Sequence, residues 1–418
     1  MAQHPAPTAL RPVSEHQRRI ADLLGLLTPT RVAPAEARGL VLAEPVTAPE
    51  ELPSFDNSAM DGYAVRAVDV AGASEAAPVR LPVAADIPAG AGIGVLEPGT
   101  AHRIMTGAPL PRGADAVVEV ERTDAGTDVV TVSAAREPGS FIRTAGSDVT
   151  AGTEVLPAGT LVGAAQIGLL AALGVRAVVV RPRPRVLVCS TGSELTDDPV
   201  PAAGQIRDSN SHMLAAAVED AGAVAIRRLW VADDVPTFLS TLDAELEAGV
   251  DLVLTSGGVS AGAYEVVKDA LAPRGVEFTK VALQPGMPQG SGTYGEAAVV
   301  CLPGNPVSSL VSFEVFVRPA LRASYGHPRP HRPIVRAALT EAITSPGGKR
   351  QLRRGRLDAV AGAVRPWGPP GSGFLGWMAG ADCLIDVPED VTELAGGDPV
   401  DVWDLTSWGR PATRSGGS

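Results

Sequence analysis

Residues 185–192 read RVLVCSTG and residues 250–258 read VDLVLTSGG, two apolar runs that each end in small and polar residues. A third run of this kind, AAVVCLPG, occupies residues 297–304. The stretches between them carry the apolar spacing of amphipathic helices, as at residues 209–222. Buried strands that alternate with such helices predict a parallel sheet covered on both faces. We therefore expect a doubly wound α/β domain over residues 185–325.

A chain of 418 residues is too long for one ordinary hydrophobic core, so we expect the rest of the chain to form further domains. Short β-like runs broken by Pro and Gly precede the α/β domain and indicate β-rich N-terminal domains. Short strands with glycine turns follow it and indicate a small C-terminal β-barrel. The expected fold class is therefore a multidomain α/β plus β protein. The expected domains are 14–50 with 150–182, 51–149, 185–325 and 334–406.

Two helices are predicted in the N-terminal part of the chain. Ser14 is the expected N-cap of the first, because the apolar residues that follow it have helical spacing. The charge-free run 155–175 resembles a membrane span, but it contains Pro157 and several glycines. A helix from about Leu161 that ends at Gly174 explains this run better, and no membrane association is expected.

Composition limits the function classes and the compartment. A net charge of −12 disfavours a general nucleic-acid surface, because phosphate backbones require clustered cations. The three cysteines are far apart and lie in apolar runs, which favours reduced buried thiols over a zinc site. The N-terminal residues lack the apolar core of a signal peptide. We expect a cytoplasmic protein.

The loops after the predicted parallel strands are the first candidate site. Ligands bind outside the carboxyl ends of the strands in such sheets. Glycine turns expose backbone N–H groups there, and a helix that begins at Asn305-Pro306 directs its positive end towards the same edge. The loops could bind a phosphate, although each turn alone also fits an ordinary strand–helix connection. The candidate residues are Thr191, Gly192, Ser256, Gly257, Gly258, Pro303, Gly304, Asn305 and Pro306, with Glu194 and Asp233 nearby.

The segment 258–262, GVSAG, also fits the G-x-S-x-G pattern of a serine nucleophile. A hydrolase of that kind needs an acid and then a histidine after the serine. Only His327 and His331 follow Ser260, and both lie in a Pro-rich linker. The serine hydrolase is therefore a minor alternative.

A second candidate site is the stretch SFDNSAMDGYA at residues 54–64. Its two carboxylates, amide and hydroxyl could bind a cation or transfer protons. A solvated Asx turn is the alternative interpretation of the same residues.

Six motifs in this order resemble the molybdopterin molybdenumtransferases, the MoeA-type family to which the C-terminal part of gephyrin also belongs. They are FDNSAMDGYAV (55–65), IMTGAPLPRGADAVV (104–118), STGSEL (190–195), SGGVSAG (256–262), LQPGMP (283–288) and LPGNPVSS (302–309). The resemblance covers about residues 14–406. It implies insertion of molybdate into adenylyl-molybdopterin with release of AMP, assisted by Mg²⁺. It also implies four domains, an elongated homodimer, and a cleft between the α/β domain of one subunit and the β domain of the other.

The resemblance further implies individual residue roles, matched motif by motif. Catalytic candidates are Asp61, Thr106, Asp148, Glu194 and Asp233. Further substrate contacts are Lys280, Arg354 and Ser372, beside Pro303 and Pro306. Oxygen ligands suit Mg²⁺, and the implied ligands are Glu194, Asp233 and Glu265. A molybdopterin adenylyltransferase is the implied partner protein.

Two segments depart from the family pattern. Ala263 and Glu265 stand where relatives commonly carry two aspartates, and Gln284 and Met287 stand where relatives often carry lysines. Loss of these cations should weaken anion binding. A non-catalytic molybdopterin-binding or scaffold paralogue is therefore the main alternative function. An adenylyltransferase would account only for residues 185–325.

Overall fold

A computed structural model describes residues 10–230, 234–259 and 266–406. These residues form two compact units. The first unit comprises residues 10–30, 39–43 and 179–406, and the second comprises residues 31–38 and 44–178. Over the described ranges, no helix has both the length and the apolar character needed to cross a membrane.

A six-stranded sheet forms the centre of the first unit. Its strands are β1 (Arg185–Thr191), β2 (Val224–Trp230), β3 (Leu252–Ser256), β4 (Glu277–Lys280), β5 (Pro288–Tyr294) and β6 (Ala297–Leu302). The spatial order is β2-β1-β3-β6-β5-β4. The pairings of β1 with β2, β1 with β3 and β3 with β6 are parallel, which confirms the predicted sheet.

The hairpin β4–β5 extends this sheet in the antiparallel sense beside β6. The sequence analysis assigned no strand there, because the segment PQGSGTY of β5 lacks an apolar run. Its glycines are required by packing: a Cβ at Gly290 would lie 2.9 Å from the Cβ of Cys301, and one at Gly292 would lie 2.7 Å from the backbone of Val276.

Among the described residues of this domain, six helices and one π-helical turn surround the sheet. The helices are α1 (Val13–Leu24), α2 (Asn210–Asp220), α3 (Val235–Glu247), α4 (Val266–Leu271), α5 (Pro306–Ser312) and α6 (Arg318–Ser324), and the π-helical turn Phe313–Val317 joins α5 to α6. The long helix predicted from Pro306 thus has three segments. The predicted N-cap at Ser14 is wrong, because α1 begins at Val13 and its N-cap is Pro12, two residues earlier.

The helices cover both faces of the sheet, as a doubly wound domain requires. Successive strand residues point to opposite faces, so neighbouring residues of β1 and β3 enter different cores. One core contains Val188, Leu254, Leu214, Phe316 and Leu321, which places α2, the π-helical turn and α6 on that face. The other contains Leu187, Val253, Phe238, Leu242 and Val267, which places α3 and α4 on the opposite face.

The predicted small barrel forms the C-terminal part of the first unit. Its strands are β7 (Ile334–Leu339), β8 (Arg350–Asp358), β9 (Ala363–Pro366), β10 (Cys383–Val387) and β11 (Pro399–Asp404). They are ordered β8-β9-β7-β11-β10, and β10 pairs with β8 to close the ring. The short strand Leu283–Gln284 pairs with β8, and the short helix Leu375–Ala379 precedes β10.

The second unit is β-rich, as predicted. A five-stranded sheet has the order Ala116–Glu119, Gly62–Val65, Ala101–Ile104, Val79–Ile87 and Val129–Val132. Its long helix is Ala164–Ala172, so the predicted start near Leu161 is three residues early. The side chain of Gln166 accepts a hydrogen bond from the N–H of Gly163 at 3.0 Å and fixes the start of the helix. Gly174 follows its end with a positive φ of 66°, as predicted.

The described residues also form shorter elements, among them the 3-10 helices Val120–Arg122 and Ala272–Arg274. The paired short strands are Asn57–Ser58 with Ile142–Arg143, Val46–Thr47 with Glu154–Leu156, Leu195–Thr196 with Ile206–Arg207, and Ile343–Thr344 with Glu393–Leu394. Strands Thr30–Val32, Val41–Leu42 and Val178–Arg181 occur where the chain passes between units. The second unit also has a helical turn at Ala67–Val70.

Candidate active site

A pocket of about 540 Å³ lies at the carboxyl ends of β1, β3 and β6. Three of its walls are the loops that follow these parallel strands, so the predicted convergence of the loops is observed. Every one of the nine loop residues predicted from the sequence lines it. They are Thr191, Gly192, Ser256, Gly257, Gly258, Pro303, Gly304, Asn305 and Pro306, and Glu194, Asp208, Asn210, Pro288 and Ser308 line it as well.

The turn after β3 requires glycine at two positions. Gly257 and Gly258 have φ values of 101° and 67°, which disfavour any residue with a Cβ. A Cβ at Gly257 would lie 2.5 Å from the carbonyl oxygen of Thr191, and one at Gly258 would lie 2.9 Å from the Cβ of Val267. The amide of Gly257 donates to the carbonyl of Leu302 at 3.2 Å, so this N–H is already used by the fold.

The loop after β6 leads directly into α5. The side chain of Asn305 accepts a hydrogen bond from the N–H of Val307 at 3.2 Å and caps the helix, while Pro306 occupies its first position. This arrangement directs the N-terminal end of α5 at the pocket, where its partial positive charge favours an anion.

An asparagine that the sequence analysis missed connects these loops. The Nδ2 of Asn210, at the start of α2, donates to Ser256 Oγ and to the carbonyl oxygen of Gly304, both at 2.7 Å. Ser256 Oγ also lies 3.2 Å from Ser309 Oγ. The partners of Asn210 are 46 and 94 residues away along the chain. Local motif spacing therefore carries no signal for this contact.

Asp208 is a second residue that the sequence analysis missed. It is 5% exposed, and both the N–H and the hydroxyl of Ser211 donate to its carboxylate, so Asp208 rather than Ser209 caps α2. Arg227 Nη1 lies 3.8 Å from the same carboxylate. The positive charge of Arg227 thus partly balances the negative charge of Asp208 at the pocket wall.

The acidic side chains of the pocket suit a hard cation without forming a complete metal site. Glu194 is exposed and its carboxylate folds over Gly192, where a Cβ would meet it at 2.5 Å. Within the described part of the chain, no three His, Cys, Asp or Glu side chains are grouped closely enough to hold a metal ion. Mg²⁺ commonly completes its shell with substrate oxygens and water, so one or two protein carboxylates are compatible with it.

A separate carboxylate site lies in the second unit. The N–H and the hydroxyl of Thr106 both donate to Asp61 Oδ1, each at 2.7 Å. These two hydrogen bonds hold the pKa of the Asp61 carboxyl below its ordinary value. Asp61 and Thr106 are both exposed. The structure thus joins two residues that the motifs place 45 positions apart.

Two further aspartates lie in the same unit. Asp56, within the quoted motif, accepts a hydrogen bond from the N–H of Ala145 at 2.7 Å. Asp148 is exposed, and its own amide donates to the carbonyl of Leu52. The described hydrogen bonds do not connect Asp148 to Asp61.

The remaining predicted contacts lie outside the pocket lining. Lys280 is exposed at the end of β4, opposite Pro288, which does line the pocket. Arg354 is 6% exposed, and its guanidinium donates to the carbonyls of Gly371 and Pro369, which directly precede half-buried Ser372 in the same loop. Burial, and then the charge of Arg353, lower the pKa of Arg354. Asp233, Glu265 and Ser260 lie outside the described residues.

Comparisons with protein-family models match nearly the whole chain. The MoeA N-terminal region (domain I and II) matches residues 11–174, and the MoeA C-terminal region (domain IV) matches residues 336–405. Between them, residues 187–323 match the model described as "Probable molybdopterin binding domain". This central match contains every residue that lines the pocket.

Individual relatives agree with these models. The chain is 55% identical to molybdopterin molybdenumtransferase 2 of Mycobacterium tuberculosis over 95% of this chain and 100% of that protein. It is 33% identical to the molybdopterin molybdenumtransferase of Bacillus subtilis over 90% of each chain. The crystal structure of the molybdopterin biosynthesis MoeA protein of Pyrococcus horikosii superimposes with a TM-score of 0.80, at 30% identity, over 96% of this chain and 100% of that one. These relatives give no support to a serine hydrolase. The chain belongs to the molybdopterin molybdenumtransferase family.

Proposed function

We propose that this protein inserts molybdenum from molybdate into adenylyl-molybdopterin, releases AMP, and so completes the molybdenum cofactor. One observation carries the proposal: the described residues that line the 540 Å³ pocket all lie between residues 191 and 308, within the segment that matches a molybdopterin-binding domain model. The pocket has the size of a small-molecule site, and its place at the strand ends is where such sheets bind ligands.

The phosphate end of the substrate is proposed to bind between the glycine turn and α5. The turn brings its backbone close to a ligand because Gly257 and Gly258 have no side chain there. The N-terminal end of α5, capped by Asn305, adds a favourable field for an anion. The protein thereby binds a negatively charged group without a lysine in the pocket lining.

Mg²⁺ is proposed as the cofactor, with Glu194 as its described ligand. The fit rests on the donor set, because Glu194 gives an exposed oxygen ligand beside the phosphate position. Asp233 and Glu265 remain proposed ligands from the resemblance. Mg²⁺ would offset the charge of pyrophosphate oxygens against an acidic protein.

Asp61 is proposed to act in the chemistry as a carboxylate, either as a cation ligand or as a proton acceptor. The two hydrogen bonds from Thr106 favour its ionised form and fix its orientation. Molybdate is a dianion, so Lys280, Arg354 and Ser372 are proposed to hold it. Arg354 would do so mainly by shaping the 369–374 loop, since both of its Nη atoms already donate to carbonyls of that loop.

The assembly is proposed to be a cytoplasmic homodimer that receives its substrate from a molybdopterin adenylyltransferase. We also propose four domains, 14–50 with 150–182, 51–149, 185–325 and 334–406, and a catalytic role for Asp148. The measurement that tests the dimer is the molar mass in solution by light scattering, and a monomer across micromolar concentrations would contradict it.

The function is tested by incubating the purified protein with adenylyl-molybdopterin, Mg²⁺ and molybdate. We expect AMP release that requires molybdate and stops when EDTA removes Mg²⁺. Asp61→Asn should lower turnover at least tenfold while leaving the unfolding midpoint nearly unchanged. Tight molybdopterin binding without molybdate-dependent AMP release would instead identify the non-catalytic scaffold paralogue.

A further inference from the structure

The amide of Asn210 is oriented unambiguously by its contacts. One of its terminal atoms lies 2.7 Å from the carbonyl oxygen of Gly304, which can only accept a hydrogen bond. That atom must therefore be the Nδ2 donor, and the contact with Ser256 Oγ at 2.7 Å is compatible with it. The Oδ1 oxygen consequently occupies the other position of the amide. The residue is 8% exposed and lines the pocket.

This Oδ1 oxygen has an unused bonding capacity. It is buried and has no hydrogen-bond partner anywhere in residues 10–230, 234–259 and 266–406. Thr191 Oγ1, at the end of β1 in the same pocket, is also buried and unpartnered there. Buried polar atoms are nearly always paired, so such atoms at a binding pocket indicate groups that a ligand satisfies.

The chemistry of Oδ1 selects the part of the ligand that it contacts. An amide oxygen only accepts hydrogen bonds, so it cannot bind a phosphate oxygen, which is also an acceptor. A pterin ring carries N–H donors on its amide and amino groups. We propose that Asn210 Oδ1 accepts a hydrogen bond from an N–H of the pterin and thereby distinguishes the pterin end of the substrate from its phosphate end. This inference rests on the proposed function of the pocket.

The test compares two probes of the pocket, 6-hydroxymethylpterin and inorganic pyrophosphate, together with molybdopterin itself. Asn210→Ala should weaken binding of 6-hydroxymethylpterin and of molybdopterin about tenfold. Pyrophosphate binding should weaken less, because pyrophosphate makes no contact with Oδ1 and loses only the support that Nδ2 gives to the loops at Ser256 and Gly304. The ratio of pterin to pyrophosphate affinity therefore falls.

A second variant gives a shift of opposite sign. Asn210→Asp keeps an oxygen acceptor at the Oδ1 position, loses the Nδ2 donor to Gly304, and adds a negative charge that repels pyrophosphate. The ratio of pterin to pyrophosphate affinity should therefore rise above that of the wild type. This measurement also decides the question if the alanine variant does not fold. Gln17→Ala is the matched control: it removes an amide that donates to the carbonyl of Val315 and does not line the pocket, and it should leave the ratio unchanged.

The possible results separate this inference from the function on which it rests. Equal losses of pterin and pyrophosphate binding in Asn210→Ala, or no loss, overturn the role of Asn210 while leaving the molybdenumtransferase activity intact. Failure of the wild-type protein to bind molybdopterin overturns the proposed function itself.

Discussion

At the scale of single residues, the hydrogen bonds from Thr106 set the acidity of Asp61. Thr106→Val keeps the shape of the side chain and the backbone N–H bond but removes the hydroxyl donor. We expect the pKa of Asp61 to rise towards its ordinary value, because the ionised carboxylate loses one of its two hydrogen bonds from Thr106. The rise should be partial, because the backbone N–H of residue 106 still donates. The acid limb of molybdate-dependent AMP release should move to higher pH. Carboxyl ¹³C NMR titration and a pH–rate profile measure the two effects.

The lowered pKa of Asp61 also makes the stability of the fold depend on pH. A carboxyl whose pKa is lower in the folded protein stabilises the fold above its unfolded pKa, and that contribution disappears as the pH falls through the folded pKa. Thr160→Val is a suitable control, since the Thr160 hydroxyl donates to the carbonyl of Pro157 in the same unit, three residues away. An unchanged Asp61 titration in Thr106→Val would contradict the prediction.

The residues that line the pocket were predictable from the sequence where they belong to loops that directly follow a strand. Glycine turns and the Asn305-Pro306 helix start follow recognisable strands, so their meeting at one sheet edge is dictated by topology. Asn210 and Asp208 were missed for a physical reason. The partners of Asn210 come from other strands, and Asp208 resembles an ordinary helix cap until its place in the pocket wall is known.

At the scale of elements, the turn after β3 is predicted to tolerate no side chain at Gly258. Gly258→Ala would combine a left-handed φ of 67° with a 2.9 Å approach to the Cβ of Val267. We expect the free energy of unfolding to fall by about 1–3 kcal/mol and pyrophosphate affinity to fall as the turn moves. Chemical denaturation and calorimetric titration are the measurements.

Gly168 is the matched control for this substitution. It lies in the helix Ala164–Ala172, is exposed, and has open space around its Cβ position. Gly168→Ala should raise the free energy of unfolding by roughly 0.5–1 kcal/mol, because alanine loses less backbone entropy in a helix. A stable Gly258→Ala protein with full pyrophosphate affinity would show that the turn adapts and that its glycine is dispensable.

Strands with a continuous apolar run were predictable from the sequence, and strands without such a run were not. The parallel strands β1, β3 and β6 are mainly apolar and are buried at every position except Arg185, so their runs are visible in the sequence. Strand β5 has polar residues and glycines at buried positions, since Gln289 and Ser291 are almost wholly buried. Hydrophobic patterning therefore fails there, and tertiary contacts decide the strand.

At the scale of the whole molecule, the chain does not divide into consecutive blocks. Residues 39–43 belong to the first unit, although residues 31–38 and 44–178 form the second. Composition changes along the sequence can mark linkers, but they cannot show that five residues return to a distant core. The overall α/β, β-rich and barrel classes were predictable because each has its own local pattern.

Acid stability of the first unit is predicted to depend on His16 of α1. This histidine is fully buried against Phe316, with ring centroids 4.7 Å apart, and neither ring nitrogen has a hydrogen-bond partner among the described residues. Burial, and then the charges of Arg11 and Arg19, lower its pKa to about 3. The folded protein thus resists protonation that the unfolded chain accepts near pH 6.5.

His16 therefore does not lower the free energy of unfolding above about pH 6.5. Below that pH its contribution lowers the free energy of unfolding as the pH falls towards 3, by up to about 1.4 kcal/mol per pH unit. His16→Leu should flatten this part of the curve of unfolding free energy against pH, because leucine carries no proton in either state. Urea denaturation at intervals from pH 7 to pH 4 measures the slope. His331→Leu, at an exposed histidine, should leave the slope unchanged. Equal slopes for the wild type and His16→Leu would mean that carboxylates alone cause the acid sensitivity.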